Sequence, residues 1–175
     1  MKAGSPVIPL IPVTVVCRVS VDIACSPERL WQTIESRYAQ GEKFSGSGYT
    51  IERFEDAAAY LGAYRMALSK DGVIVDDRIV RVSEIDEAAR RISLHGQYLS
   101  ESSHGLDVYA SYQALPIATG ARFAIDCHAH YSRWPQPSED PAELRAAIED
   151  MKATSAAGLE QFMTRVKAEL EEAQR

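Results

Sequence analysis

From residue 49 to residue 133 apolar and polar positions alternate with a period of two, and from residue 140 to about 173 they recur at spacings of three and four. The first rhythm is that of half-buried strands and the second that of an amphipathic helix. The helical stretch places Leu144, Ile148, Met151, Ser155, Leu159, Phe162, Val166 and Leu170 on one face and charged residues on the other. Asp140 reads as its N-cap, with Pro141 at the first helical position and Glu143 three residues after the cap, a start signal with a physical basis in the unpaired N–H groups of the first turn. Gly158 interrupts the helix and predicts a close approach or a slight bend there.

Ahead of the alternating region, residues 13–24 carry Val13, Val15, Cys17, Val19, Val21 and Ile23 on one face and Arg18, Ser20 and Asp22 on the other, which predicts a strand. Ser26-Pro27-Glu28 then opens a helix of about ten residues with an apolar face of Leu30, Trp31 and Ile34, and a second short helix is expected to reach Phe44 before the Ser45-Gly46-Ser47-Gly48 loop. Strands follow at 49–54, 60–69, 73–85, 91–100, 107–115 and 121–133. Asp71-Gly72 between the second and third of these is a tight hairpin signal, because a primed turn needs positive φ at both central residues. Thr119-Gly120 separates the last two strands, and Pro135 and Pro137 end the sheet. The order is a strand, short helices, about six consecutive antiparallel strands and one long helix. That order predicts an α+β fold, a curved antiparallel sheet of about seven strands wrapped around the C-terminal helix. Residues 1–12 read as a Pro-rich leader and 13–175 as a single domain.

Composition narrows the function classes. With 19 Lys and Arg against 25 Asp and Glu, the net charge is -6, and no basic cluster stands out of the kind that phosphate contacts require, so nucleic acid is not expected as a partner. No run approaches the roughly 20 apolar residues of a membrane span, and no integral membrane contact is expected. Cys17, Cys25 and Cys127 are odd in number and widely spaced, which points to neither a disulfide framework nor a zinc site and fits a reducing cytoplasm. No cofactor motif is present, and none is expected; a homodimer is compatible with the sequence.

Val19-Ser20-Val21-Asp22-Ile23-Ala24-Cys25-Ser26-Pro27-Glu28-Arg29-Leu30-Trp31 resembles the opening of the START-like superfamily, also called SRPBCC, Bet v 1-like or polyketide cyclase/dehydrase-like. Members often begin with a strand, a small-residue Pro-Glu turn and a hydrophobe-Trp pair, and the order of elements resembles their helix-grip fold across nearly the whole chain. The resemblance implies a deep, mostly apolar cavity between sheet and C-terminal helix, and no single activity. Arg37-Tyr38-Ala39-Gln40-Gly41-Glu42 lacks the Asp-x-x-x-Trp or Tyr-Pro motif of some members, so the subfamily stays open.

Strand alternation sorts the cavity candidates. Tyr60, Tyr64, Met66, Tyr98, Tyr112, Phe123, Ile125 and Tyr131 fall inward, opposite Met151, Ser155, Leu159, Phe162 and Met163 of the helix. Tyrosines on one concave surface suit a pocket of aromatic walls and hydroxyl donors, or equally a solid aromatic core whose hydroxyls reach backbone or water. In 73–85, Ile74, Val80 and Val82 share a face with Asp76 and Arg78, and Val75, Ile79 and Ile85 share the other with Asp77 and Arg81. Either face puts an acid and a base inward, where they must neutralise one another; alternatively, the strand lies near an edge where both faces meet water. Asp126, His128 and His130 share a strand face, but Phe123, Ile125, Cys127, Ala129 and Tyr131 claim the core side, so the histidines point outward and no metal site is expected. His95 also falls outside, and His104 sits in a loop that flanks the cavity mouth. The expected function is binding of a small hydrophobic or aromatic metabolite. One alternative is a cyclase, aromatase or dehydratase in which Tyr64, Tyr98, Arg78, Asp76 and His104 handle a carbonyl and its protons; the other is an interaction module whose cavity is filled by side chains.

Overall fold

The computed structural model describes residues 11–39, 41, 48–54, 61–99, 106–133 and 140–173. Of the leader expected at 1–12, residues 1–10 lie outside the described residues and Ile11 and Pro12 already belong to the first strand; the first residue of the strand expected at 60–69, the 101–105 loop and the prolines that follow the sheet also lie outside them.

Among the described residues, seven strands form one antiparallel sheet: β1 (Ile11–Ile23), β2 (Tyr49–Arg53), β3 (Ala63–Lys70), β4 (Val73–Asp86), β5 (Arg91–Tyr98), β6 (Asp107–Ile117) and β7 (Gly120–Arg133). Their spatial order is β1-β7-β6-β5-β4-β3-β2. Six strands follow one another through hairpins, and β1 pairs with the last of them, Val13 opposite Tyr131 and Ile23 opposite Ala121. The primed turn appears as the sequence requires, with Asp71 at φ 51° and Gly72 at φ 78°. Gly120 has a different reason for being glycine. Its φ is 148° and a Cβ there would lie 2.3 Å from the Ile23 carbonyl oxygen, so β7 can start beside the end of β1 only without a side chain.

Among the described residues, two helices pack against this sheet. Helix α1 (Pro27–Ala39) is capped by Ser26, whose hydroxyl accepts from the Arg29 amide at 3.2 Å, and buries Leu30, Trp31, Ile34 and Tyr38. The second short helix expected to reach Phe44 would end at residues 42–44, which lie outside the described residues. Helix α2 (Pro141–Glu172) is capped by Asp140, which accepts from the Ala142 amide. Its apolar stripe is unevenly used. Met163, Val166 and Leu170 are buried, whereas Leu144, Ile148, Met151, Ser155 and Leu159 are only half-covered. The reason is the partner element: α2 runs along β1, an edge strand of the sheet. Gly158 is exposed, with open space around its Cα, so the expectation of a close approach there is corrected.

The core divides accordingly. A large cluster joins α1, the concave face of the sheet and the C-terminal turns of α2 through Leu30, Tyr64, Met66, Val82, Ile92 and Phe123. A smaller one, Val13, Val15, Cys17 and Ala129, lies under Ile148, Met151 and Leu159 of α2. Polar ties fix the C-terminal end of α2 to the start of the chain's core. Lys167 donates to the Asp22 carbonyl at 2.8 Å, Glu171 accepts from the Ala24 amide at 3.1 Å, and Arg37 pairs with Glu169 at 2.6 Å.

Candidate functional site

Strand β4 lies between β3 and β5, not at an edge of the sheet, so the edge reading of its mixed charges is corrected. Asp76, Arg78, Val80 and Val82 face the concave side, set by the pairing of Arg78 with Met66 on one neighbour and Tyr98 on the other. A bulge between Val82 and Glu84 then shifts the alternation, which turns Ile85 toward the large core cluster and leaves Glu84 to Arg91 and Ser93. On the convex face Asp77 pairs with Arg65 at 2.8 Å, in place of the expected Arg81.

The concave acid and base form the pair that half-burial demands. Arg78 donates through Nε and Nη2 to the Asp76 carboxylate, through Nη2 to Tyr49 Oη at 3.3 Å and through Nη1 to Tyr98 Oη at 2.6 Å. Its guanidinium carbon also sits 4.6 Å from the centre of the Tyr98 ring, within cation–π range. Tyr49 donates to Asp76 at 2.5 Å. Burial opposes the charge on Arg78, but Tyr98, Asp76 and Tyr49 more than offset it and raise its pKa. The Arg78 and Asp76 side chains keep 22% and 19% of their exposure, so the pair is neither in open water nor sealed.

Beside it is a cavity of about 80 Å³, lined among the described residues by Tyr38, Tyr64, Met66, Arg78, Val80, Leu94, Gly96, Tyr98, Val108, Ala110 and Tyr112. The space exists because Gly96 and Ala110 put almost no side chain on the concave face between larger neighbours. Tyr38 reaches in from α1 and stacks on Tyr112 with ring centres 4.1 Å apart. Burial raises the pKa of Tyr64, Tyr98 and Tyr112 above the ordinary phenol value, so all three are neutral hydroxyls at pH 7.

Of the sequence-predicted cavity residues, Tyr64, Met66, Tyr98 and Tyr112 line this space together with Arg78. Phe123 and Ile125 do not; they are 0% and 2% exposed within the packed core. The helix residues are elsewhere too. Met151 and Leu159 cover the small cluster on β1, Ser155 lies near Tyr131, and Phe162 packs edge-on against Tyr38 and Phe123 at 6.3 and 6.4 Å. Tyr60 and His104 lie outside the described residues. Tyr38, Gly96 and Ala110 were missed. Tyr38 was within reach of sequence reasoning, since it follows Leu30 and Ile34 at successive steps of four on α1.

The described histidines, His95, His128 and His130, stand on the convex face. His95 stacks on Tyr109 at 4.5 Å and bonds Asp107 at 2.8 Å, His128 bonds Asp126 at 3.1 Å, and His130 bonds Thr14 at 3.2 Å. Each has its own partner, and among the described residues no three His, Cys, Asp or Glu side chains are grouped to hold a metal ion. Cys17 and Cys127, 110 residues apart, are direct cross-strand neighbours; burial raises both thiol pKa values, Cys127 to about 11.

Comparison with solved structures identifies the architecture. The chain is similar to norcoclaurine synthase from Thalictrum flavum, with 10% identity over 97% of this chain and 95% of that one and a TM-score of 0.58. It is similar to a protein of unknown function from Staphylococcus aureus (12% identity, 93% and 96% covered, TM-score 0.65) and to Ara h 8.0201 (11% identity, 87% and 99% covered, TM-score 0.53). The chain has the Bet v 1-like helix-grip fold. At these identities the likeness concerns the fold, whose sites vary independently of it. No family model and no curated protein matches the sequence. Among the described residues, no helix is long and apolar enough to cross a membrane.

Proposed function

We propose that the chain binds a small hydrophobic or aromatic molecule in the cavity between Tyr64, Tyr98 and Tyr112. The observation that carries this reading is an aromatic-walled hollow beside an internally neutralised Arg78–Asp76 pair, the combination of apolar surface and few oriented polar groups that small-molecule sites use. A packed interaction module has no need of such a hollow. The fold neighbour norcoclaurine synthase is described in complex with dopamine and hydroxybenzaldehyde, both single-ring aromatics, which supports a ligand of that size class. The volume sets a limit: an apolar cavity of about 150 Å³ admits benzene, so about 80 Å³ takes one ring only when a wall side chain moves. Met66, with an unbranched and adaptable side chain, is the wall member best suited to give.

The cyclase-like alternative draws on one contact. A phenol that accepts from a guanidinium, as Tyr98 does at 2.6 Å, is a better proton donor toward a substrate carbonyl. Mass spectrometry of small molecules that co-purify with the protein tests the main reading. A bound single-ring aromatic is expected in wild type and absent from Ala110→Leu, whose larger side chain occupies the hollow. A ligand-free preparation that also fails to bind any member of an aromatic panel overturns it.

A further inference from the structure

We infer that the ligand presents an uncharged acceptor oxygen, a ketone or aldehyde carbonyl above all, to the hydroxyls of Tyr64, Tyr98 and Tyr112. This rests on the reading of the cavity as a binding site and adds what the site recognises.

The argument is a count of donors and acceptors. Arg78 spends Nε, Nη1 and Nη2 on Asp76, Tyr98 and Tyr49. Because the Tyr98 oxygen accepts from Arg78, its own proton has to point elsewhere. Among the described residues no acceptor meets that proton, nor the hydroxyl of Tyr64 or of Tyr112. These hydroxyls are gathered in one place: all three residues line the same small cavity, and Tyr112 feels the field of Tyr64, Tyr98 and Arg78. These hydroxyls open on the hollow, so a ligand that displaces water from them has to accept in its place. Each of the three hydroxyls has a proton to give, the Tyr98 oxygen is already taken by Arg78 and the Asp76 carboxylate by Arg78 and Tyr49, so a ligand oxygen with free lone pairs is what these donors can hold.

Charge decides which oxygen. Asp76 already neutralises Arg78, so a carboxylate entering the cavity finds no net positive charge to meet its own and loses its hydration. A carbonyl loses far less and accepts from two phenols at once. The surrounding Val80, Leu94 and Val108 suit the hydrocarbon part of such a molecule.

The test compares three single-ring ligands of similar size, ethylbenzene, acetophenone and benzoate, titrated into the wild-type protein at pH 7 by calorimetry. Acetophenone is expected to bind about three- to tenfold more tightly than ethylbenzene, the worth of one or two net hydrogen bonds, with benzoate weakest. Tyr98→Phe and Tyr112→Phe are each expected to shrink the acetophenone-to-ethylbenzene ratio toward one. Equal binding of ethylbenzene and acetophenone to wild type overturns the inference and leaves the cavity reading standing. Tightest binding of benzoate overturns it in favour of an anion site, and failure of all three to bind overturns both. The wild-type comparison decides even if a variant does not fold.

Discussion

Replacing Asp76 by Asn strips the half-buried Arg78 of its counter-charge while keeping the shape of its partner. In the wild type the carboxylate accepts from Arg78 Nε and Nη2 and from Tyr49; the amide keeps one acceptor oxygen and turns an N–H₂ group toward a cation. Two unit charges about 4 Å apart at an effective dielectric constant near 20 attract by about 4 kcal/mol, which is a ceiling because desolvation opposes it. Removing one partner of a fully buried pair costs about 3–5 kcal/mol, and exposed pairs contribute about 0.2–1 kcal/mol. With side-chain exposures of 19% and 22%, Asp76→Asn falls between these and is expected to cost about 2 kcal/mol. For a domain of this size that lowers Tm by about 4–8 °C. Urea denaturation at pH 7, followed by circular dichroism, measures the change, and Asp76→Leu with Arg78→Leu is expected to recover most of it by removing both charges together. A single-mutant loss under about 0.5 kcal/mol would show that water screens the pair fully, and the half-buried polar station described here would be wrong.

Three further outcomes follow from the same structure. Gly120→Ala sets a Cβ 2.3 Å from the Ile23 carbonyl oxygen at φ 148°, whereas Gly72→Ala meets nothing within 4 Å at φ 78°; thermal melts are expected to show a loss above about 2 kcal/mol for the first and about 1 kcal/mol for the second. Asp22, Asp77 and Glu84 have pKa values lowered by hydrogen bonds from Arg122, Arg65 and Arg91. Their stabilisation is complete above the unfolded carboxylate range and fades as pH falls below about 4, through the lowered folded values. In Asp77→Asn, denaturation midpoints measured from pH 6 to pH 2 are expected to fall less steeply than in wild type. Burial raises the Cys17 and Cys127 thiols, so both are expected to react slowly with a disulfide reagent at pH 8 in native buffer and at once in denaturant; fast native labelling of either would contradict their placement between β1 and β7.

Element identity was legible in the sequence because period two and period three-and-four leave different traces, and turn residues with positive φ mark the joints. Strand β4 was predicted at 73–85 and runs Val73–Asp86; the long helix keeps its cap at Asp140. Which face of β4 points inward was not legible, since both carry an acid and an arginine. Pairing to Met66 and Tyr98 settles it, and those are tertiary facts. The helix side of the cavity was misplaced for a related reason. A helical stripe says that a face is covered but not by which strand, and α2 lies along β1 rather than across the middle of the sheet. Small residues hid the hollow itself: Gly96 and Ala110 carry no pattern of their own, and only the large side chains around them make their absence of bulk a cavity. The Cys17 and Cys127 neighbours were beyond reach, because no local rule joins the first strand to the last.

The central claim is that the hollow on the concave face, and no other surface, takes a small aromatic molecule. Titration of acetophenone into wild type, Ala110→Leu and Ser111→Leu tests it most directly, since residue 110 lines the hollow and residue 111, one position along β6, faces the convex side. The account predicts saturable binding to wild type and Ser111→Leu and at least a tenfold loss in Ala110→Leu. Equal affinity in all three, with each variant folded, would contradict it.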